Sequence, residues 1–277
     1  MNRRELLARA QKVLSDHKIS DTSLEAELLL RHALKIDRIH LFADLDSRIS
    51  AENERLFWVL ISRRLKGEPT AYITGHREFY GLDLDVNSSV LIPRPETELL
   101  VEKTIEVAQK YPAPIIADIG TGSGAVAIAL AYYLPNVKIY TVDISAEALR
   151  VARLNSQKYG LEERIIFLLG DLLQPLPEPV NIIAANLPYV LTGDLTAVNT
   201  IGFEPKLALD GGRDGLDLIR AICSQTKSKL LTGGFLLLEI GLGQREPLQK
   251  ILKTTGLSST FYTDLNGIDR VAVTQFE

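Results

Sequence analysis

Two stretches of the chain carry residues whose types and spacing suit chemistry. Residues 115–125 read IIADIGTGSGA. An apolar run ends in Asp118 and breaks into Gly120, Thr121, Gly122, Ser123 and Gly124. A small-residue helical stretch follows at once. That order predicts strand, tight turn, helix. Such a turn sits at the carboxyl end of a parallel strand, where open α/β sheets bind ligands. Without Cβ atoms, the glycines let the backbone turn sharply and a ligand come close. The spacing is G-x-G-x-G, one residue shorter than the dinucleotide fingerprint, and no Walker lysine follows it. About twenty residues on, Tyr140-Thr141-Val142-Asp143 predicts a second strand ending in an acid, a carboxylate placed to accept both ribose hydroxyls of an adenosine. The second stretch is Asn186-Leu187-Pro188-Tyr189, directly after the apolar run Ile182-Ile183-Ala184-Ala185. The Asn186 side-chain oxygen and a backbone carbonyl of the turn can each accept one N–H of a planar NH2 group, and Tyr189 can pack against its face. Either stretch alone has a bland reading, a glycine turn with surface acids or an Asn-Pro turn. Their convergence on one sheet is what carries the inference.

The elements that must position them follow from periodicity. Residues 94–277 alternate strand and helix. Strands are expected at 115–119, 138–142, 165–169, 180–185 and 234–240. Helices are expected from Pro95 to about Tyr111 and at 124–133, 145–159, 215–229 and 244–254. This alternation predicts a doubly wound parallel α/β sheet, with the 180–185 strand beside the 115–119 strand. After Gly256 the pattern becomes two strands, 260–263 and 270–275, around Asn266-Gly267, an antiparallel hairpin. Residues 1–70 read as a small helical bundle. Leu6, Leu7, Ala10, Val13 and Leu14 recur at helical spacing, as do Ala26, Leu29, Leu30, Ala33 and Leu34. Thr22 with Glu25 has the pattern of a capping box, and Ser50 of a cap for a further helix that stops near Gly67 and Pro69. Residues 71–93 are expected to form a β-hairpin linker, with Ala71 to Gly75 and Leu82 to Val86 both β-like.

Composition narrows the classes. The 277 residues are 46% apolar and 24% charged, ample for a large domain and a small one. A formal net charge of -4 disfavours duplex DNA as a partner. The one cysteine, Cys223, excludes an internal disulfide and reads as a small core residue in a reduced, cytoplasmic compartment. The four histidines are scattered without metal-ligand spacing, so no metal site is expected. The first helix carries Glu5 and lacks the apolar core of a signal peptide. No apolar run approaches the ~20 residues a membrane span requires.

The glycine loop with Asp143 resembles the motifs of class I S-adenosylmethionine (AdoMet) methyltransferases, and NLPY at 186–189 resembles the (D/N)PPY motif of amino-group N-methyltransferases. The wider pattern is similar to the PrmC/HemK family, the N5-glutamine methyltransferases of class-1 peptide-chain release factors. The likeness includes the helical N-terminal region, REFYG at 77–81, IPRPETE at 92–98, DIGTGSGA at 118–125, Phe203-Glu204-Pro205 and Leu207 to Gly212. Asp214-Gly215-Leu216 and Leu238-Glu239-Ile240-Gly241 continue it. The resemblance implies methyl transfer from AdoMet, leaving S-adenosylhomocysteine, to the amide nitrogen of the glutamine in a release factor's Gly-Gly-Gln loop. It implies AdoMet contacts from Asp118, Gly120, Thr121, Gly122, Ser123, Gly124, Asp143, Asp171, Leu172 and Asn186. It implies a glutamine pocket made by Asn186, Leu187, Pro188 and Tyr189, with Phe79 as a wall, and an N-terminal bundle that docks the release factor. Neither membrane nor direct nucleic-acid binding is expected. Two positions depart from the family. Leu187 stands where proline is usual, and Leu172 where an aromatic often covers the adenine.

Three other readings are open to the residues. An adenine-N6 methyltransferase would require a basic, aromatic-lined surface, which the acidic balance opposes. An inactive AdoMet-binding scaffold would need neither Asn186 nor Tyr189. A nicotinamide oxidoreductase is opposed by the glycine spacing.

Overall fold

The computed structural model describes residues 1–197, 202–253 and 259–276; Gly256, expected to precede the C-terminal hairpin, lies outside the described residues. The chain forms two compact units, Met1–His76 and Arg77–Glu277.

The first unit is helical: α1 (Arg3–Asp16), α2 (Thr22–Leu34), α3 (Arg38–Ala43), α4 (Ala51–Leu65) and α5 (Thr70–Thr74). The expected stripes meet in one core, with Leu6, Leu14, Leu29, Leu30, Phe57 and Ile61 buried together. Asn2 and Glu5 close a capping box on α1, and the Ser50 hydroxyl caps α4 by accepting from Asn53. The box expected of Thr22 and Glu25 does not form. Asp21 takes the N-cap position with left-handed backbone and no side-chain cap bond, while the Glu25 carboxylate accepts from Arg64 at 2.9 Å and from the Thr70 hydroxyl. A guanidinium is a stronger partner for a carboxylate than a backbone N–H.

Residues 71–75, expected as strand, are mostly the short helix α5. Pro69 precedes it, Gly75 ends it with φ +81, and Ile73 turns into the bundle core. A five-residue apolar run cannot distinguish helix from strand by period. The hairpin itself is β1 (His76–Phe79) and β2 (Leu82–Asp85). Tyr80 and Gly81, at φ 50 and 76, make its turn.

The second unit contains α6 (Glu98–Ala108), β3 (Ile115–Ile119), α7 (Ala125–Tyr133), β4 (Lys138–Asp143), α8 (Ala146–Lys158), β5 (Ile165–Leu169), β6 (Val180–Ala185), α9 (Asp217–Thr226), β7 (Leu230–Glu239), α10 (Arg245–Lys253), β8 (Ser259–Thr263) and β9 (Asp269–Gln275). Among the described residues seven strands form one sheet in the order β5-β4-β3-β6-β7-β9-β8. β5 to β7 run parallel, and β9 and β8 return antiparallel at the edge. This is the class I methyltransferase arrangement expected of the sequence. The central strands are buried on both faces, as parallel strands covered by helices must be. Ile116, Ile139 and Leu237 face the α6 and α7 side, and Ala117, Val142 and Leu236 face α9 and α10. No helix among the described residues is long and apolar enough to cross a membrane.

Register fixes where a ligand can sit. Ile119 lies opposite both Val142 and Ala185, and Ala185 lies opposite Leu238. The carboxyl ends of β3, β4, β6 and β7 therefore reach one edge together. Chain order runs outward from β3 through β4 to β5, then restarts at β6 on its other side. That reversal opens the crevice in which doubly wound sheets bind ligands.

Candidate active site

A cavity occupies this crevice. Gly120 and Gly122 form one part of its lining, Val142 and Asp143 a second, Asp171 and Leu172 a third, and Asn186, Leu187 and Pro188 a fourth. The two sequence stretches thus meet at one place. The loop after β3 turns through left-handed glycines, and a Cβ built on Gly122 (φ +55) would touch nothing within 4 Å. That bare backbone faces open space, as a cradle for a closely approaching ligand requires. Gly122 N–H donates to Asp143 Oδ2 at 2.9 Å, and Ser145 N–H to Asp143 Oδ1 at 2.8 Å. Burial raises the Asp143 carboxyl above its usual range, while those N–H groups oppose the rise.

Other residues of the motif stand behind the cavity rather than in it. Asp118 is 2% exposed, and its Oδ2 accepts from Thr121 Oγ1 at 2.6 Å and Thr141 Oγ1 at 3.3 Å. Desolvation lifts its carboxyl to about 6 against those hydrogen bonds. Asp118 and Thr121 brace the turn. Ser123 is buried, and its carbonyl accepts from Asn155 Nδ2 at 2.9 Å; Asn155 Nδ2 and Oδ1 also pair with the backbone of Asp85. Gly124 lets α7 start close against Ala152 of α8. Leu172 covers part of the cavity from an unusual left-handed backbone, φ +47. Phe79, expected as a pocket wall, is 1% exposed in the core with Leu82 and Leu84. Strand alternation turns it inward, so this position does not bring it to the cavity.

Tyr189 lies beside the cavity rather than on its lining. It is half-buried, and desolvation raises its phenol above the ordinary value. A Cβ on Gly211 would fall 2.7 Å from the Tyr189 Cα, and one on Gly241 2.9 Å from the Tyr189 ring. Only glycine leaves room for the tyrosine there. The buried Gln244 secures the same turn. Its Oε1 accepts from Gly241 N–H at 2.8 Å, and its Nε2 donates to the Gly215 carbonyl at 3.0 Å and the Tyr189 carbonyl at 3.4 Å. The glycines of the 207–216 and 238–241 segments thereby acquire a physical reason. Gln244 carried no sequence signal beyond its place at the start of a helix.

Two further loops complete the walls. Val90 and Leu91 come from one, Pro205, Leu207 and Ala208 from the other. Glu204 ties them. Its fully buried carboxylate accepts from Ile92 N–H at 3.1 Å and from Arg94 at 2.6 Å. The hairpin joins the same segment through Arg77 on the Pro93 carbonyl and Tyr80 N–H on Glu98.

Asn186 itself is half-buried at the end of β6. Its Nδ2 donates to Thr97 Oγ1 at 2.9 Å. Thr97 closes the turn Pro95–Thr97 ahead of α6, yet its hydroxyl makes no cap bond to that helix.

Comparison with known proteins agrees with this geometry. Residues 5–75 match the model of the PrmC N-terminal domain, and residues 114–232 a methyltransferase domain. The release factor glutamine methyltransferase of Moorella thermoacetica is 41% identical over 258 residues, covering 92% of this chain and 91% of that one. That of Geobacter sulfurreducens is 39% identical over 272 residues, covering 97% and 94%. The chain belongs to the release factor glutamine methyltransferase family. It is therefore an enzyme of the methyltransferase class. A solved methyltransferase from Pyrococcus furiosus shares the fold at a TM-score of 0.53 and 15% identity, covering 78% of this chain and 96% of its own. Leu187, where the resemblance leads to the expectation of proline, is 4% exposed and packs its Cδ2 toward Gly120. Apolar packing holds the turn where ring rigidity would otherwise do so.

Proposed function

We propose that this chain transfers a methyl group from AdoMet to the side-chain amide nitrogen of the glutamine in the Gly-Gly-Gln loop of a class-1 release factor. The observation that carries the reading is how the Asn186 side chain is disposed. With Nδ2 committed to Thr97, its Oδ1 is the group left for an incoming N–H donor at the cavity.

The residues present fit AdoMet. Gly120 and Gly122 offer bare backbone to it, Asp143 a carboxylate for the ribose hydroxyls, and Leu172 an apolar cover for the adenine. Asp118, Thr121, Ser123 and Gly124 support that half indirectly. When bound, AdoMet supplies an electrophilic methyl on a sulfonium. The chain supplies position. An amide nitrogen is a weak nucleophile because its lone pair is delocalised. Asn186 Oδ1 and a carbonyl of the 186–189 turn each accept one of its N–H groups and fix its direction, Leu187 and Pro188 shape the turn, and Tyr189 packs beside the planar group. Such positioning is worth several kcal/mol of the barrier. The methylated nitrogen gives its surplus proton to water.

The helical unit, matched by the N-terminal family model, takes the role of docking the release factor, with residues 71–93 as the connection. The test is methyl transfer from labelled AdoMet to purified release factor, with an equal challenge of DNA. Label on the release factor that vanishes when its loop glutamine is changed supports the reading. Label on DNA alone replaces it with adenine methylation, and AdoMet binding without transfer to either replaces it with the inactive scaffold.

A further inference from the structure

The sequence motifs leave one buried carboxylate beside Asn186 without a role. Glu239 ends β7, and the register that sets Ala185 opposite Leu238 carries Asn186 to its side. It is 2% exposed. The side chains of Thr97 and Asn186 lie beside its carboxylate and favour its ionised form, while its Oε2 is buried with no hydrogen-bond partner among the described residues. A buried carboxylate with an unpartnered oxygen is costly, and a core position facing only packing demands would be better filled by an apolar side chain.

The donor inventory gives the group a direction. An ionised carboxylate only accepts. Thr97 Oγ1 accepts from Asn186 Nδ2 at 2.9 Å, which leaves its one O–H to turn toward the carboxylate beside it. With the Thr97 O–H turned to an acceptor-only group, Asn186 can meet Thr97 Oγ1 only through an N–H of Nδ2. Its Oδ1 is forced to the other side. We propose that Glu239, acting with Thr97, is the positioning residue that holds the Asn186 amide with its oxygen toward the cavity and its nitrogen away. This rests on the methyl-transfer reading and deepens it. A flipped amide would present N–H groups to the N–H groups of the acceptor and repel them.

Protonation undoes the device. A neutral Glu239 can donate, the polarity of the chain is no longer unique, and Asn186 can turn. Burial raises this carboxyl to about 7. The charged groups facing it are Arg270 of β9, which favours ionisation, and Glu96 of the 95–97 turn, which opposes it; the Tyr189 phenol also faces it. Arg270 is itself paired with Asp264 at 2.9 Å, so its pull on Glu239 is shared.

The experiment compares Glu239→Gln, Thr97→Val and Thr97→Ser with the wild type. Methylation of release factor gives kcat and KM, and the Asn186 side-chain amide resonances are followed by NMR across pH. In the wild type, kcat rises as pH rises through about 7, and the Asn186 resonances titrate with the same midpoint. Glu239→Gln loses that titration and lowers kcat roughly tenfold or more, with KM for release factor and AdoMet affinity within about twofold. Thr97→Val lowers kcat similarly, and Thr97→Ser restores it. A folded Glu239→Gln or Thr97→Val enzyme with wild-type kcat and pH profile overturns the proposal. So does an Asn186 titration that persists in Glu239→Gln. A wild type that methylates no release factor refutes the functional reading instead, and the NMR titration still decides the role of Glu239.

Discussion

The two halves of the crevice are built on the same plan with opposite reach. At the glycine loop, a buried carboxylate, Asp118, ends near β3 and accepts from Thr121 and Thr141. At the proposed acceptor end, a buried carboxylate, Glu239, ends β7 beside Thr97 and Asn186. Burial lifts the first to about 6 and the second to about 7. Asp118 braces a loop from three residues away and is not itself part of the cavity lining. Glu239 stands where three distant segments come together, beside Asn186, the residue proposed to meet the acceptor. The difference fits the proposed division of work between the halves. A cofactor cradle needs a fixed shape, whereas an ambidentate amide must also have its polarity chosen.

The comparison can be broken most severely at Asn186. Asn186→Ala should cut turnover roughly a hundredfold or more, about 3 kcal/mol of transition-state stabilisation, while AdoMet affinity measured by calorimetry changes only a few-fold. Loss of AdoMet binding with turnover preserved at saturation would reverse the assignment of the halves.

Asp118 offers the next largest effect, and it is one of stability. Its carboxyl is raised in the folded state, so its contribution is fully present below the unfolded value near 3.8 and is lost as pH rises through about 6. At about 1.4 kcal/mol per pH unit, the wild type gives up about 3 kcal/mol across that window. Asn at this position cannot ionise. The unfolding free energy of Asp118→Asn relative to wild type, from urea titrations at pH 4 and 7, should therefore grow by about that amount. A constant difference would contradict the assignment.

Gly241→Ala sharpens the acceptor half. The new Cβ would stand 2.9 Å from the Tyr189 ring, costing about 1–3 kcal/mol of stability by overpacking and roughly tenfold in turnover through the displaced turn. An unaffected turnover would show that Tyr189 does not set the acceptor geometry. The smallest effect is at the cofactor half. Leu172→Trp should tighten AdoMet about threefold to tenfold, since an aromatic stacks on adenine for about 0.5–1.5 kcal/mol. No tightening would mean that Leu172 does not cover the base.

Legibility in the sequence follows reach. Strands β3 to β7 were readable because buried parallel strands are short apolar runs, and the Asp118 loop because its parts are contiguous. The pairing of β3 with β6, and so the meeting of Gly122 with Asn186, followed from the alternation of elements. Thr97, Glu239 and Gln244 were not assigned roles. They come from separate stretches, and their side chains meet only once the sheet is assembled. Thr97 even resembles a helix cap, a duty its hydroxyl gives up for Asn186. Phe79 packs in the core, since a resemblance carries a residue's identity but not the direction its strand turns it. Residues 71–75 were misread because Pro69 and Gly75 bound a helix too short for its period to show.

The central claim is that this crevice methylates a glutamine amide held by Asn186. Tandem mass spectrometry of release factor after reaction with AdoMet tests it most directly, with wild-type and Asn186→Ala enzymes side by side. The account predicts one added methyl on the glutamine of the Gly-Gly-Gln loop, at its side-chain nitrogen, with wild type and almost none with the variant. A methyl on another residue, or equal methylation by Asn186→Ala, would contradict it.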